Sequence, residues 1–178
     1  MSVTRTSRAL AASSVVGMAA ATLLALSATG SAAGQDEHGV AAVRNATERF
    51  SDVQVALDAG YVPVSGCEQH PTLGAMGVHY LHPELASDAK LIPTKPEVLL
   101  YEPTPEGGLQ LVGVEYFIAE AAVRAGHPSV MGRPLEGPMD GHSAGMPRHY
   151  DLHLWVWKDN PSGMAATWNP AVSCEHGS

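Results

Sequence analysis

The chain has 178 residues, 45% of them apolar, with 18 acidic against 10 basic side chains and a formal charge of −8. That composition excludes disorder throughout, and the length suits one domain once a removable N-terminal stretch is set aside. Arg5 and Arg8 fall in that stretch, so the remainder carries 8 basic residues against 18 acidic ones, a net charge of −10 that disfavours nucleic acid and anionic membrane surfaces as partners.

A polar start with Arg5 and Arg8, an apolar run from Ala9 to Leu26 and the small-residue exit Ser31-Ala32-Ala33 predict a secretory signal peptide over residues 1–33 and a mature domain over residues 34–178. A membrane anchor is the competing reading, because the apolar run approaches the roughly 20 residues that span a bilayer. Its Ala, Ser and Gly content is poor for spanning, and no basic stop-transfer flank follows. With no twin-arginine pair and no lipobox cysteine, the expected product is secreted or periplasmic, with no stable membrane association after processing.

From Val40 to Tyr61 the apolar positions Val40, Val43, Phe50, Val53, Leu57 and Tyr61 keep one face of a helix, which Gly60 and Pro63 would end. Cys67 and Cys174 are the only cysteines. In an oxidising compartment two thiols pair, and a loop of this length closed by a disulfide contributes on the order of 4 to 5 kcal/mol through the unfolded state. The sharper alternative takes Cys67 and His70 with Cys174 and His176 as a two-Cys, two-His zinc or copper site.

Beyond Gly66 short extended runs alternate with Pro, Gly and Asn: Val78 to Leu81, Val98 to Tyr101, Leu109 to Ile118 and Tyr150 to Lys158 read as strands. The turn-rich Pro103-Thr104-Pro105-Glu106-Gly107-Gly108 predicts an antiparallel hairpin between the second and third. A short helix is expected from Ala119 to Ala125, and the Gly-, Pro-, Met- and His-rich stretch from Gly126 to Pro147 reads as one long exposed loop. The fold class is α+β: an N-terminal helix packed on a small, mainly antiparallel sheet.

Gly141-His142-Ser143-Ala144-Gly145 matches the G-x-S-x-G nucleophile elbow, which would make Ser143 the nucleophile of a serine hydrolase. That elbow needs a strand before the serine and a helix after it, and here a Gly/Pro-rich loop precedes and a strand follows. Histidine is the richer signal. Side chains of equal parity share a strand face, so His149, Asp151, His153, Trp155 and Trp157 point one way and Tyr150, Leu152, Leu154 and Val156 the other. His149 and His153 would stand about 13 Å apart along a straight strand, too far to share one ion.

Glu115 lies within Leu111-Val112-Gly113-Val114-Glu115-Tyr116-Phe117-Ile118, where a charge is costly unless paired or metal-bound. His79, between Val78 and Tyr80, has a similar placement on another strand. His79, Glu115 and His153 form a two-histidine, one-carboxylate set suited to a divalent metal such as Zn, Cu, Fe or Mn with positions open to water or a small molecule. A buried ion-pair network is the alternative. His70, His82 and His149 are expected at the surface, with extra ligands or groups supporting the ligands as the alternative, and His127, His142 and His176 in solvated segments.

Gly74-Ala75-Met76-Gly77-Val78-His79-Tyr80, Pro96-Glu97-Val98-Leu99-Leu100-Tyr101-Glu102-Pro103, Val112-Gly113-Val114-Glu115-Tyr116, Leu152-His153-Leu154-Trp155-Val156-Trp157-Lys158-Asp159-Asn160-Pro161-Ser162-Gly163-Met164 and Asn169-Pro170-Ala171-Val172-Ser173-Cys174 occur in this order. Over roughly residues 47 to 174 the chain resembles a family of uncharacterised secreted bacterial proteins. The resemblance implies a bacterial source and puts His79, Glu115, His153 and both cysteines on the family's motifs; it implies no activity. Two functional classes follow: a secreted protein binding a divalent metal, or a non-catalytic ligand-binding module whose Trp155, Trp157 and Trp168 form an aromatic surface.

Overall fold

A computed structural model describes Met1, residues 32–143 and residues 145–177. The leader expected over residues 1–33 falls outside the described residues, save for Met1 and the helical backbone at Ala32 and Ala33. All elements below belong to one unit, Ser31–Ser178.

Helix α1 covers Ala32–Thr47, a 3-10 turn Glu48–Ser51, and α2 Val53–Asp58. The single helix expected from Val40 to Tyr61 is thus divided at Asp52. Its backbone is extended (φ −90°, ψ 111°), and its carboxylate accepts from Gln54 N at 2.9 Å, capping α2. An Asp side chain that satisfies an orphan N–H at a helix start competes with continued helix at the same position.

Strands β1 (Val62–His70), β2 (Gly74–Leu81), β3 (Val98–Pro103), β4 (Leu109–Ala119), β7 (Glu136–Met139) and β8 (His149–Leu154) form a six-stranded antiparallel sheet in the order β1-β2-β3-β4-β8-β7, which curls. The chain is α+β, with a few short helices. Between β2 and β3 lies α3 (Pro83–Ser87), which the sequence reading did not expect. The expected β3–β4 hairpin is present, closed by Thr104 N donating to Gly108 O and Gly107 N to Thr104 O, each at 2.9 Å. The helix expected from Ala119 to Ala125 is a 3-10 turn, Glu120–Ala122. The stretch expected as one loop from Gly126 to Pro147 instead holds a small hairpin, β5 (Ser129–Val130) and β6 (Arg133–Pro134), followed by the outer strand β7. The β5–β6 pairing is two residues long and β7 depends on distant β8, so amid the Gly and Pro residues neither leaves a local periodicity.

Register sorts the side chains into two faces. Tyr80, Leu99, Val114 and Leu154 stand opposite one another across β2, β3, β4 and β8, and all four belong to the larger core cluster with Val43, Phe50 and Ala56 of the helical segment. The adjacent row, Leu81, Val98, Glu115 and His153, faces the other way. A smaller apolar cluster of Ala75, Leu100, Phe117, Trp155 and Val172 accompanies Val98 there. Alternation along β8 stops at Leu154, so Trp157 does not join Trp155 on the second face. It packs against the larger cluster and donates from Nε1 to Thr47 Oγ1 at 3.0 Å.

Both outer strands are irregular. β1 has two register shifts and carries Pro63, and β7 has one shift and carries Pro138. Opposite Glu68 of β1, Gly77 sits at φ +85°, and a Cβ there would lie 2.3 Å from Tyr101 O, so only glycine fits. Cys67 of β1 is joined to Cys174 by a disulfide, which replaces the two-Cys, two-His metal alternative and ties the sheet edge to the irregular C-terminal segment. That segment is held further by Glu102, which accepts from Ser173 N at 2.9 Å and pairs with Lys158. Among the described residues no helix is long and apolar enough to cross a membrane.

Candidate metal centre

Glu115 of β4 and His153 of β8 are directly opposite in the antiparallel register, and His79 of β2 is two residues from Leu81 of the same row. Although β3 separates β2 from β4, the three side chains lean together over the second face. His79 Nε2 is 3.5 Å from Glu115 Oε2, and His153 Nε2 is 4.0 Å from the same oxygen. One ligand atom from each of the three lies within 4.8 Å of the others, so the group could hold a metal ion. Two ligand atoms each about 2.1 Å from a metal and separated by the tetrahedral angle stand about 3.4 Å apart, the scale of these separations.

All three are buried: His79 is 8% exposed, Glu115 4% and His153 3%. Burial, with the nearby imidazoles His153 and His142 adding to it, lowers the His79 pKa to about 3. Burial lowers His153 to about 4, with His142 acting in the same direction and Asp151 against it. Both rings are therefore neutral over the physiological range, the state in which imidazole nitrogen binds metal. Burial also raises the Glu115 carboxyl well above its usual range, and the carboxylates of Asp151, Glu68 and Glu97 push it the same way. Without a cation the neutral form of this carboxyl is favoured.

The Ser65 hydroxyl stands 2.8 Å from Gly66 O and 3.0 Å from His79 Nδ1, and it accepts from the His79 backbone N–H at 3.2 Å. When its one proton goes to Gly66 O, Nδ1–H donates to the serine oxygen and Nε2 turns its lone pair towards Glu115. Glu115 Oε2 and His153 Nε2 are buried and have no hydrogen-bond partner. A carboxylate oxygen and a bare ring nitrogen repel across 3.5 Å unless a proton or a metal ion stands between them. Sequence reading missed Ser65, because nothing in Val64-Ser65-Gly66 marks it before β1 is seen to pair with β2.

The set opens into a cleft of about 410 Å³ between the sheet, the Glu136–Met146 stretch and the C-terminal segment. Four carboxylates line it, Glu68, Glu115, Glu136 and Asp151, and among the described lining residues there is no Lys or Arg. Leu81, Val98, Phe117 and Trp168 supply apolar wall, and Met76, Met139 and Met146 place three thioethers there.

The remaining histidines divide. His149, expected at the surface, is fully buried against Phe117, because β7 and the stretch after it cover that end of β8. His70 is half-buried, and its Nδ1 accepts from Thr72 N and Leu73 N at the β1–β2 turn. His82 is half-buried edge-on to Tyr61. His176 is exposed, as is His127, which bonds Leu135 O, and His142, which lines the cleft. Ser143 lies on an exposed bend between β7 and β8, with no helix leaving it, so the nucleophile elbow is not formed. Trp155 is buried and donates to Ala166 O, Trp157 lies with the opposite core, and Trp168 stands beside His70. The three tryptophans therefore share no single surface. Comparison with protein-family models, curated proteins and solved structures finds no match for this chain.

Proposed function

We propose that this is an exported metal-binding protein, secreted or periplasmic, whose His79, Glu115 and His153 hold a divalent transition-metal ion at the floor of a cleft open to small molecules. The observation that carries the reading is the convergence of a lone-pair-bearing His79 Nε2 on the unpartnered, buried Glu115 Oε2 and His153 Nε2. Two neutral imidazoles and one carboxylate suit Zn, Cu, Fe or Mn, and three protein ligands leave positions for water or a ligand. Export is supported by the disulfide, by the leader read in the sequence and by the resemblance to secreted bacterial proteins.

The test is elemental analysis of protein purified from its native compartment without chelator. Metal retained in stoichiometric amount, and lost from this set when His79 and His153 are both replaced by Ala, is the expected result. Metal-free wild-type protein that takes up none of the four metals on dialysis would overturn the proposal.

A further inference from the structure

A second group stands in the same cleft. His142, His149 and Asp151 each offer a ligand atom within 4.8 Å of the others. The Nδ1 of His149 lies 3.0 Å from Pro147 O, and a carbonyl only accepts, so Nδ1 carries the proton. In the neutral ring Nε2 then presents a lone pair. That nitrogen is buried, has no hydrogen-bond partner, and faces Asp151 Oδ2 at 3.4 Å. His149 is 0% exposed and Asp151 4%, so the pair is shielded from water. His142 reaches the pair from the opposite wall, its ring edge-on to His149 with centroids 5.5 Å apart.

We infer that His142, His149 and Asp151 bind a second divalent transition-metal ion, so that the cleft holds two. An ordinary ion pair between a protonated His149 and Asp151 accounts for two members of the group, but not for a third imidazole brought up to the same point. The cleft gathers Glu68, Glu115, Glu136 and Asp151 without a basic side chain among its described lining residues, a lining that suits cations. The two sets adjoin, since Asp151 and His153 are alternate residues on one face of β8. A pair of cations in one cleft can orient a small anionic molecule and activate water. The donor set, two imidazoles and one carboxylate, favours zinc-like over calcium-like ions.

The second site stands on its own three residues and does not require the first. Metal-free wild-type chain, His142→Ala, Asp151→Asn and Glu115→Gln are each equilibrated with Zn²⁺ by dialysis, and bound zinc per chain is counted after circular dichroism shows the fold intact. Two equivalents are expected for the wild type and one for each variant. His142 is exposed, so its replacement leaves packing untouched. One equivalent in the wild type, lost in Glu115→Gln and kept in His142→Ala and Asp151→Asn, overturns the second site and leaves the first. One equivalent kept in Glu115→Gln but lost in His142→Ala and Asp151→Asn supports the second site and overturns the first. Two equivalents retained by His142→Ala and Asp151→Asn, or no zinc bound by the wild type, overturn the inference.

Discussion

Replacing Glu115 by Gln separates a metal ligand from a structural partner. In the metal-free protein burial favours the neutral form of the Glu115 carboxyl, and Gln matches that neutral acid in size, so the variant without metal should keep its stability to within about 1 kcal/mol. With metal the two diverge. At a free metal concentration 100 times Kd, binding stabilises the folded chain by about 2.7 kcal/mol. For a domain of this size that is a rise in Tm of about 5 to 11 °C. Loss of the charged ligand should weaken binding by about 100-fold or more, leaving roughly 0.4 kcal/mol and about 1 °C at the same metal concentration. Thermal unfolding of both proteins in EDTA and in Zn²⁺, followed by near-UV circular dichroism, gives the four values needed. If Glu115 serves only an ion-pair network, the variant should instead lose about 1 to 3 kcal/mol in EDTA and metal should move neither protein. A wild-type Tm unmoved by Zn, Cu, Fe and Mn would refute the reasoning.

Ser65→Ala removes the acceptor that holds the Nδ1–H tautomer of His79, so metal affinity measured by chelator competition should fall by about 10- to 100-fold, and metal-free stability should fall by about 1 to 3 kcal/mol because buried donors lose their acceptor. Cys67→Ser with Cys174→Ser opens a loop of sequence separation 107 and should cost on the order of 4 kcal/mol, seen as a lower urea midpoint than that of the oxidised wild type. Burial raises the Glu97 carboxyl to about 8 from 4.5, so between those pH values the folded chain keeps a proton that the unfolded chain has released. Stability should fall as pH rises through that window, by about 1.4 kcal/mol per pH unit for this one group, and urea unfolding of Glu97→Gln from pH 5 to 8 should show a slope shallower by that amount. Gly77→Ala forces a Cβ onto Tyr101 O at a positive φ and should cost about 2 kcal/mol or more in the same assay; a smaller loss would refute the bulge geometry.

The four inner strands were legible because period-two runs such as Leu111 to Ile118 are buried on one face at least, and the cost of a carboxylate inside such a run marked Glu115 before its partners were known. Parity along Tyr150 to Leu154 likewise put His153 and Asp151 on one face. What the pattern could not carry was contact made from outside a segment. β1 contains Pro63, Gly66 and polar residues at Ser65, Glu68 and Gln69, which carry no strand periodicity, and it is held as a strand by its pairing with β2. His149 has the same parity as His153, but its burial depends on β7 and on the stretch before Pro147, whose short pairings leave no periodic trace. Trp157 follows the end of β8, where Trp157 N and Lys158 N both turn to Val112 O, so a parity rule extended past Leu154 puts it on the wrong face.

The irregular outer strands bear on how the molecules behave in a crowd. An open sheet offers its border to any strand that can match an unbroken ladder of donors and acceptors, which is the first step of aggregation. Here one border is shifted twice and lacks a donor at Pro63, with the Cys174 segment fastened to it at Cys67. The other is shifted once and lacks a donor at Pro138. A strand from a second copy meets only short stretches of partners on either side. Val62 and Val64 remain exposed on the first border without making it adhesive, since sticky side chains there have no continuous backbone template to hold them in register.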